Sequence, residues 1–89
     1  MKKPQKIKAK DLRVCDLVVI NETPEATVRT VVCVRGHDVY LTWFEGTRLC
    51  GQWIDVCYLH SPTIEQVRNH VTLCGRLVTG HDIKDLQPA

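Results

Sequence analysis

Residues 27–44, TVRTVVCVRGHDVYLTWF, place two runs rich in β-branched and aromatic residues on either side of the dipeptide Gly36-His37. A two-residue loop that begins with glycine marks a type II′ turn, because glycine takes the positive φ of that position without steric cost. The stretch therefore predicts a β-hairpin. Counting outward from the turn sets Arg35 opposite Asp38, Val34 opposite Val39, Cys33 opposite Tyr40 and Val32 opposite Leu41. Val31 then faces Thr42, Thr30 faces Trp43 and Arg29 faces Phe44. Alternation gathers Val32, Val34, Val39, Leu41 and Trp43 on one side, which reads as a core face. The other side holds Arg29, Val31, Cys33, Tyr40, Thr42 and Phe44, too apolar for open solvent and too polar for a deep core. Either the protein's own strands or a helix cover it, or a partner does.

Outward from the hairpin, Leu17 to Asn21 reads as a first strand, preceded by a turn, and Asn21 to Glu25 as a loop punctuated by Pro24. Glu45-Gly46-Thr47 is a second turn. Arg48 to Trp53 returns beside the hairpin as a strand interrupted or kinked at Gly51, and Ile54 to His60 forms a further short strand. In that last segment Ile54, Val56 and Tyr58 alternate against Asp55, Cys57 and Leu59. About five short strands joined by tight turns predict a mainly β protein, a small antiparallel barrel or sandwich.

The period then changes. Ser61 as N-cap and Pro62 at the first helical position open a helix over about 63–74, with Glu65 near the positive end of its dipole. Ile64, Val67, Val71 and Cys74 form its apolar stripe, and Gly75 closes it. Residues 76–89 carry short apolar pieces at Leu77-Val78, Ile83 and Leu86, which suit either an edge strand or a docking turn.

Composition sets the frame for these elements. A chain of 89 residues, 44% hydrophobic and 25% charged, has ordinary globular values. It makes one domain, burying roughly 60–65% of its unfolded surface. The reading is a basic arm over residues 1–12 and a single small domain over 13–89. Residues 1–13 hold Lys2, Lys3, Lys6, Lys8, Lys10 and Arg13 against Asp11, a net of +5, and the remainder carries −3. No apolar run is long enough to cross a membrane, and no apolar segment follows the lysines as in a secretory signal. A cytoplasmic protein is expected. Five cysteines, an odd number with no export route, are expected to be reduced thiols rather than a disulfide framework.

Three pieces, Asp16-Leu-Val-Val, Pro24-Glu-Ala-Thr27-Val28 and Trp43-Phe44, resemble the YodC-like family of small bacterial proteins, whose pattern runs Gly-Asp-x-Val, Pro-x-Met-Thr-Val and Trp-Phe. The resemblance covers about residues 14–60. It implies a small SH3-like barrel, and it implies no enzymatic activity, because that family has no assigned function. Cys15 stands where the pattern has glycine, and Glu22-Thr23 where it usually has small flexible residues. The arm and the C-terminal helix lie outside it.

The chemistry the residues could carry is limited. Cys57-x2-His60 and His70-x3-Cys74 have spacings open to a tetrahedral zinc site, yet Cys57 and His60 fall on opposite faces of a continuing strand. The competing reading packs Cys57 and Cys74 and leaves His60 and His70 on the surface. Cys50, before Gly51, has no histidine context that would make it a nucleophile. There is no phosphate loop, nucleophile elbow or metalloprotease helix, so neither an enzyme nor a cofactor is expected. Nucleic-acid binding would use the lysine arm with Tyr40, Phe44, Arg29, Arg35 and Arg48, stacking bases beside a positive groove. Trp43 and Trp53 are assigned to the core, as large aromatics are a main source of stability in so small a domain. The reading placed first is a non-enzymatic module that binds a protein partner, or its own copy, through Arg29, Tyr40, Phe44 and Arg48 on the hairpin.

Overall fold

The computed structural model describes residues 7–20, 28–84 and 86, the Cys74 side chain apart. Five antiparallel strands form one sheet in the order β4-β3-β2-β1-β5. They are β1 (Leu17–Ile20), β2 (Arg29–Arg35), β3 (Asp38–Glu45), β4 (Arg48–Asp55) and β5 (Leu59–His60). The sheet is mainly antiparallel meander and is not closed into a barrel, since β4 and β5 end it on opposite sides.

Both tight turns take the expected form. Gly36 has φ +60° and Gly46 has φ +66°, so each hairpin is closed by a glycine in the conformation that other residues avoid. Near the first turn the counted register holds, with Arg35 opposite Asp38, Val34 opposite Val39 and Cys33 opposite Tyr40. It then slips. Val31, rather than Val32, stands opposite Leu41, and Thr30 stands opposite Thr42, because the register shifts between Val31 and Cys33. The N-terminal turn supplies the cause: Cys15 N–H donates to the Val31 carbonyl at 2.8 Å, and Val31 N–H donates to the Asp16 carbonyl at 2.9 Å. With Val31 held by that side of the sheet, Val32 becomes the extra residue of a β-bulge, and every β2 residue before it changes face.

One face of the sheet buries Val18, Val31, Val39, Leu41 and Leu59 together with Leu12 and Val56. Ile7 and Ala9 of the N-terminal segment pack onto this cluster, so the docking end of the arm is part of the fold. The opposite face buries Thr30, Thr42, Val19 and Val28, under cover that comes from the C-terminal residues His70, Val78 and Ile83.

Two elements differ from the sequence expectation. The stretch 54–60 is no continuous strand: β4 runs through Ile54 to Asp55, a 3-10 turn over Val56–Tyr58 follows, and β5 is a two-residue strand. The Asp55 carboxylate caps that turn by accepting from Cys57 N–H at 2.9 Å, which frees the chain to turn a corner and buries Leu59 in place of Tyr58. The helix α1 (Ile64–Cys74) is capped by Thr63 rather than by Ser61. Thr63 and Gln66 form a reciprocal capping box, with the Thr63 hydroxyl accepting from Gln66 N–H and Gln66 Oε1 accepting from Thr63 N–H. Gly75 ends the helix at φ +100°. Its apolar stripe is not its buried face. Ile64 and Val71 are exposed, and the helix faces the sheet with His70 and the half-buried Gln66 and Val67.

Candidate functional site

The four residues expected to share a recognition surface fall on two faces. Tyr40 and Phe44 lie on one side of β3, and the bulge carries Arg29 to the other, where its guanidinium stacks on Trp43 at 4.0 Å from the ring centroid. Arg29 also donates to Gln52 Oε1 at 3.1 Å. Trp43 Nε1 donates to Glu45 Oε1 at 3.3 Å. Arg48 stands opposite Glu45 in the ladder, so it belongs to this second group. Burial lowers the Arg29 pKa from its ordinary value, opposed by the Glu45 carboxylate and the Cys50 thiol. Trp43 is thus a half-buried rim residue rather than a core one.

On the Tyr40 side the sheet divides in two. At the Phe44 end, the C-terminal segment is latched down. Arg76 stacks over the Phe44 ring at 4.5 Å and makes a bidentate pair with Asp82, both contacts 2.8 Å. Asp82 also accepts from Thr79 N–H and the Thr79 hydroxyl at the start of the single helical turn α2 (Gly80–Ile83). The arginine hydrogen bonds hold the Asp82 carboxyl far below the usual range and raise the Arg76 pKa. Thr30 Oγ1 donates to the Val78 carbonyl at 3.3 Å, which satisfies a buried carbonyl and fixes the segment against β2. Residues 76–83 are therefore a docking turn, and Arg76 covers one face of the Phe44 ring, which stays half-buried.

At the other end, Tyr40 lies edge-on to Trp53, ring centroids 5.2 Å apart, and Arg35 sits over the Trp53 ring at 5.2 Å. Tyr40 and Trp53 are both half-exposed and Arg35 is exposed. Gly51 makes this row possible, since a Cβ there would run into the Tyr40 ring, 2.6 Å from Cζ. The glycine does not break β4, which pairs with β3 through eight consecutive partners. It lets an aromatic ring lie across the strand. A glycine inside a strand pattern signals such a close approach, but not which ring makes it. Trp53, assigned to the core by size, is the residue that sequence reasoning missed in this row, and Arg35 was named there only for the nucleic-acid alternative.

Of the candidate zinc set Cys57, His60, His70 and Cys74, the Cys74 side chain lies outside the described residues. Among the described residues no three His, Cys, Asp or Glu side chains are grouped to hold a metal ion. His70, expected on the surface, is 2% exposed, and its Nδ1 accepts the Val28 N–H at 3.0 Å. That bond requires the neutral ring with the proton on Nε2, and burial lowers the His70 pKa accordingly. His60 Nδ1 lies 3.1 Å from the Ser61 carbonyl, and Cys57 is exposed. Of the lysine arm, Lys2, Lys3 and Lys6 lie outside the described residues, and Lys8 and Lys10 are exposed. Cys50 is half-buried. No helix among the described residues is long and apolar enough to cross a membrane. No protein-family model, curated protein or solved structure matches the chain.

Proposed function

We propose that the protein is a non-enzymatic binding module that recognises a protein partner at the end of the sheet face formed by Tyr40, Trp53 and Arg35. The observation that carries this reading is the geometry of that end of the face: Tyr40 lies edge-on to a half-buried Trp53, Arg35 sits over the Trp53 ring, and Gly51 leaves the space that the Tyr40 ring occupies. Preorganised aromatic and arginine side chains are the groups that dominate protein interfaces. The earlier set of Arg29, Tyr40, Phe44 and Arg48 contracts to Tyr40 and gains Trp53 and Arg35.

Connectivity supports the same reading. We take the meander β2-β3-β4, the 3-10 turn and the short return strand beside β1 as an opened version of an SH3-like barrel. Cys15 has φ +77°, a conformation that favours glycine, at the position where the YodC-like pattern has glycine. Base stacking on this surface is the less favoured use. Arg29, Arg35 and Arg76 already stack on Trp43, Trp53 and Phe44, so these rings each have an aromatic face occupied.

Selection of displayed peptides on the immobilised protein tests the proposal. Enriched ligands should shift the amide resonances of Arg35, Tyr40 and Trp53, and Trp53→Ala should weaken them by about tenfold or more. Saturable shifts of the same residues by a short oligonucleotide at physiological salt, with no peptide ligand, would replace protein by nucleic acid as the partner.

A further inference from the structure

We infer that Arg29, on the face of the sheet away from Tyr40, is a binding site for a carboxylate, supplied by an acidic side chain of a protein partner. The site goes beyond the reading of Tyr40, Trp53 and Arg35 and uses none of those residues.

The register builds this site from three strands. Thr30 stands opposite Thr42, so Arg29 lies beside Trp43, while Trp43 stands opposite Cys50 and Leu41 opposite Gln52. The Arg29 side chain therefore starts on β2, crosses the Trp43 ring on β3 and ends at Gln52 on β4. The ring, with its centroid 4.0 Å from the guanidinium carbon, supports one face of the cation, and the 3.1 Å hydrogen bond from Nη1 to Gln52 Oε1 holds its far end. Glu45 steadies the ring in turn by accepting from Trp43 Nε1 at 3.3 Å. A planar fork held at both the ring and the amide is preorganised for the two parallel hydrogen bonds that a carboxylate accepts.

A comparison within the molecule shows what this fork lacks. Arg76 also stacks on an aromatic ring, and it is neutralised by Asp82 through two contacts of 2.8 Å. Among the described residues Arg29 has no carboxylate within ion-pair distance, and its one hydrogen bond goes to a neutral amide. Yet Arg29 is the half-buried cation and Arg76 the exposed one. A cation drawn out of water is ordinarily paired, because desolvation disfavours an uncompensated charge. Burial accordingly lowers the Arg29 pKa, and the Glu45 carboxylate and Cys50 thiol oppose that shift without closing an ion pair. Arg48, opposite Glu45 in the ladder, adds a second cation at the exposed rim. Two cations against Glu45 leave a single positive charge, which one carboxylate balances. A phosphate dianion would leave an excess of negative charge beside Glu45.

Nuclear magnetic resonance titration of the labelled full chain with a capped tetraglutamate peptide tests the inference, with capped tetraglutamine and inorganic phosphate titrated at the same ionic strength. The Arg29 Nε–H and Trp43 Nε1–H resonances should shift saturably with tetraglutamate, at a Kd of about 1 mM or tighter, and stay in place with tetraglutamine. Arg29→Lys keeps the charge without the planar fork, and Arg29→Gln removes the charge; each should weaken binding by about tenfold or more. Circular dichroism reports whether each variant keeps its fold, and Arg29→Lys decides if the glutamine variant does not. Absence of a saturable shift at Arg29 and Trp43, including shifts confined to Lys8, Lys10 and Arg13, overturns the inference. Binding untouched by both substitutions, or tighter for phosphate than for tetraglutamate, overturns it as well. Peptide ligands that depend on Trp53 with no response at Arg29 would overturn it and leave the binding-module reading standing, and the reverse pattern would sink that reading alone.

Discussion

The two faces of β3 are buried by different physics. Val39 and Leu41, on one side, sit in an all-apolar cluster closed by Leu12, Val56 and Leu59. Thr42, on the other, is equally buried, but its hydroxyl donates to the Cys50 carbonyl at 2.6 Å, and its neighbours Thr30 and His70 are likewise hydrogen-bonded. The first face is non-directional and tolerates any cover that excludes water. The second accepts only a cover that meets each donor and acceptor, because an unpaired buried polar group costs about 1–3 kcal/mol. The difference teaches why the N-terminal segment can dock with simple apolar residues, whereas the C-terminal segment needs Arg76, Asp82 and Val78 at fixed positions.

The contrast can be broken from the apolar side first. Leu41→Ala should cost about 2–5 kcal/mol in chemical denaturation, enough to unfold much of a domain of this size. A loss below about 1 kcal/mol would show that this face is not the main core. Thr30→Val keeps the shape and leaves the Val78 carbonyl unpaired, so about 1 kcal/mol should be lost, with protection of the Val78–Ile83 amides in hydrogen exchange falling more than that of β3. Equal loss in both places would mean that the C-terminal cover is not a separate layer.

His70 sharpens the comparison through pH. Its pKa is lowered in the folded chain, so the unfolded chain binds the proton more readily. The stability contributed by the neutral ring is complete above about pH 6.5 and is lost as pH falls below it. Urea midpoints between about pH 7 and pH 5 should therefore decline for the wild-type chain, and His70→Gln, which keeps an acceptor for Val28 N–H without titrating, should flatten the decline. An unchanged slope would remove His70 as its source. The smallest expected effect has the opposite sign: Cys15→Gly relieves the φ of +77° and should raise stability by about 0.5–1 kcal/mol in the same measurement.

Much of the apolar face was legible before the fold was known. The Gly36-His37 turn fixes the pairs nearest to it, and alternation puts Val34, Val39 and Leu41 on one side because successive strand residues point oppositely. The reading failed at Val32, where backbone hydrogen bonds from Cys15 and Asp16, more than a dozen residues away in sequence, hold Val31 and create the bulge. That one-residue slip moved Arg29 from Phe44 to Trp43 and split the expected binding set. The helix shows the same limit. Its stripe of Ile64, Val67 and Val71 suggested one buried face, but the sheet face it covers begins at Val28, whose N–H needs an acceptor, so His70 turned inward instead.

By itself, the sequence determined a mainly β chain, its two glycine turns, its apolar core strands and a C-terminal helix, because turn chemistry and side-chain period act over a few neighbouring residues. Only the tertiary structure decided the bulge at Val32, the place of β4 at the end of the sheet, the burial of His70 and the aromatic row over Gly51. Each of these depends on a hydrogen bond or a ring that arrives from another part of the chain, and no local pattern records which one will come.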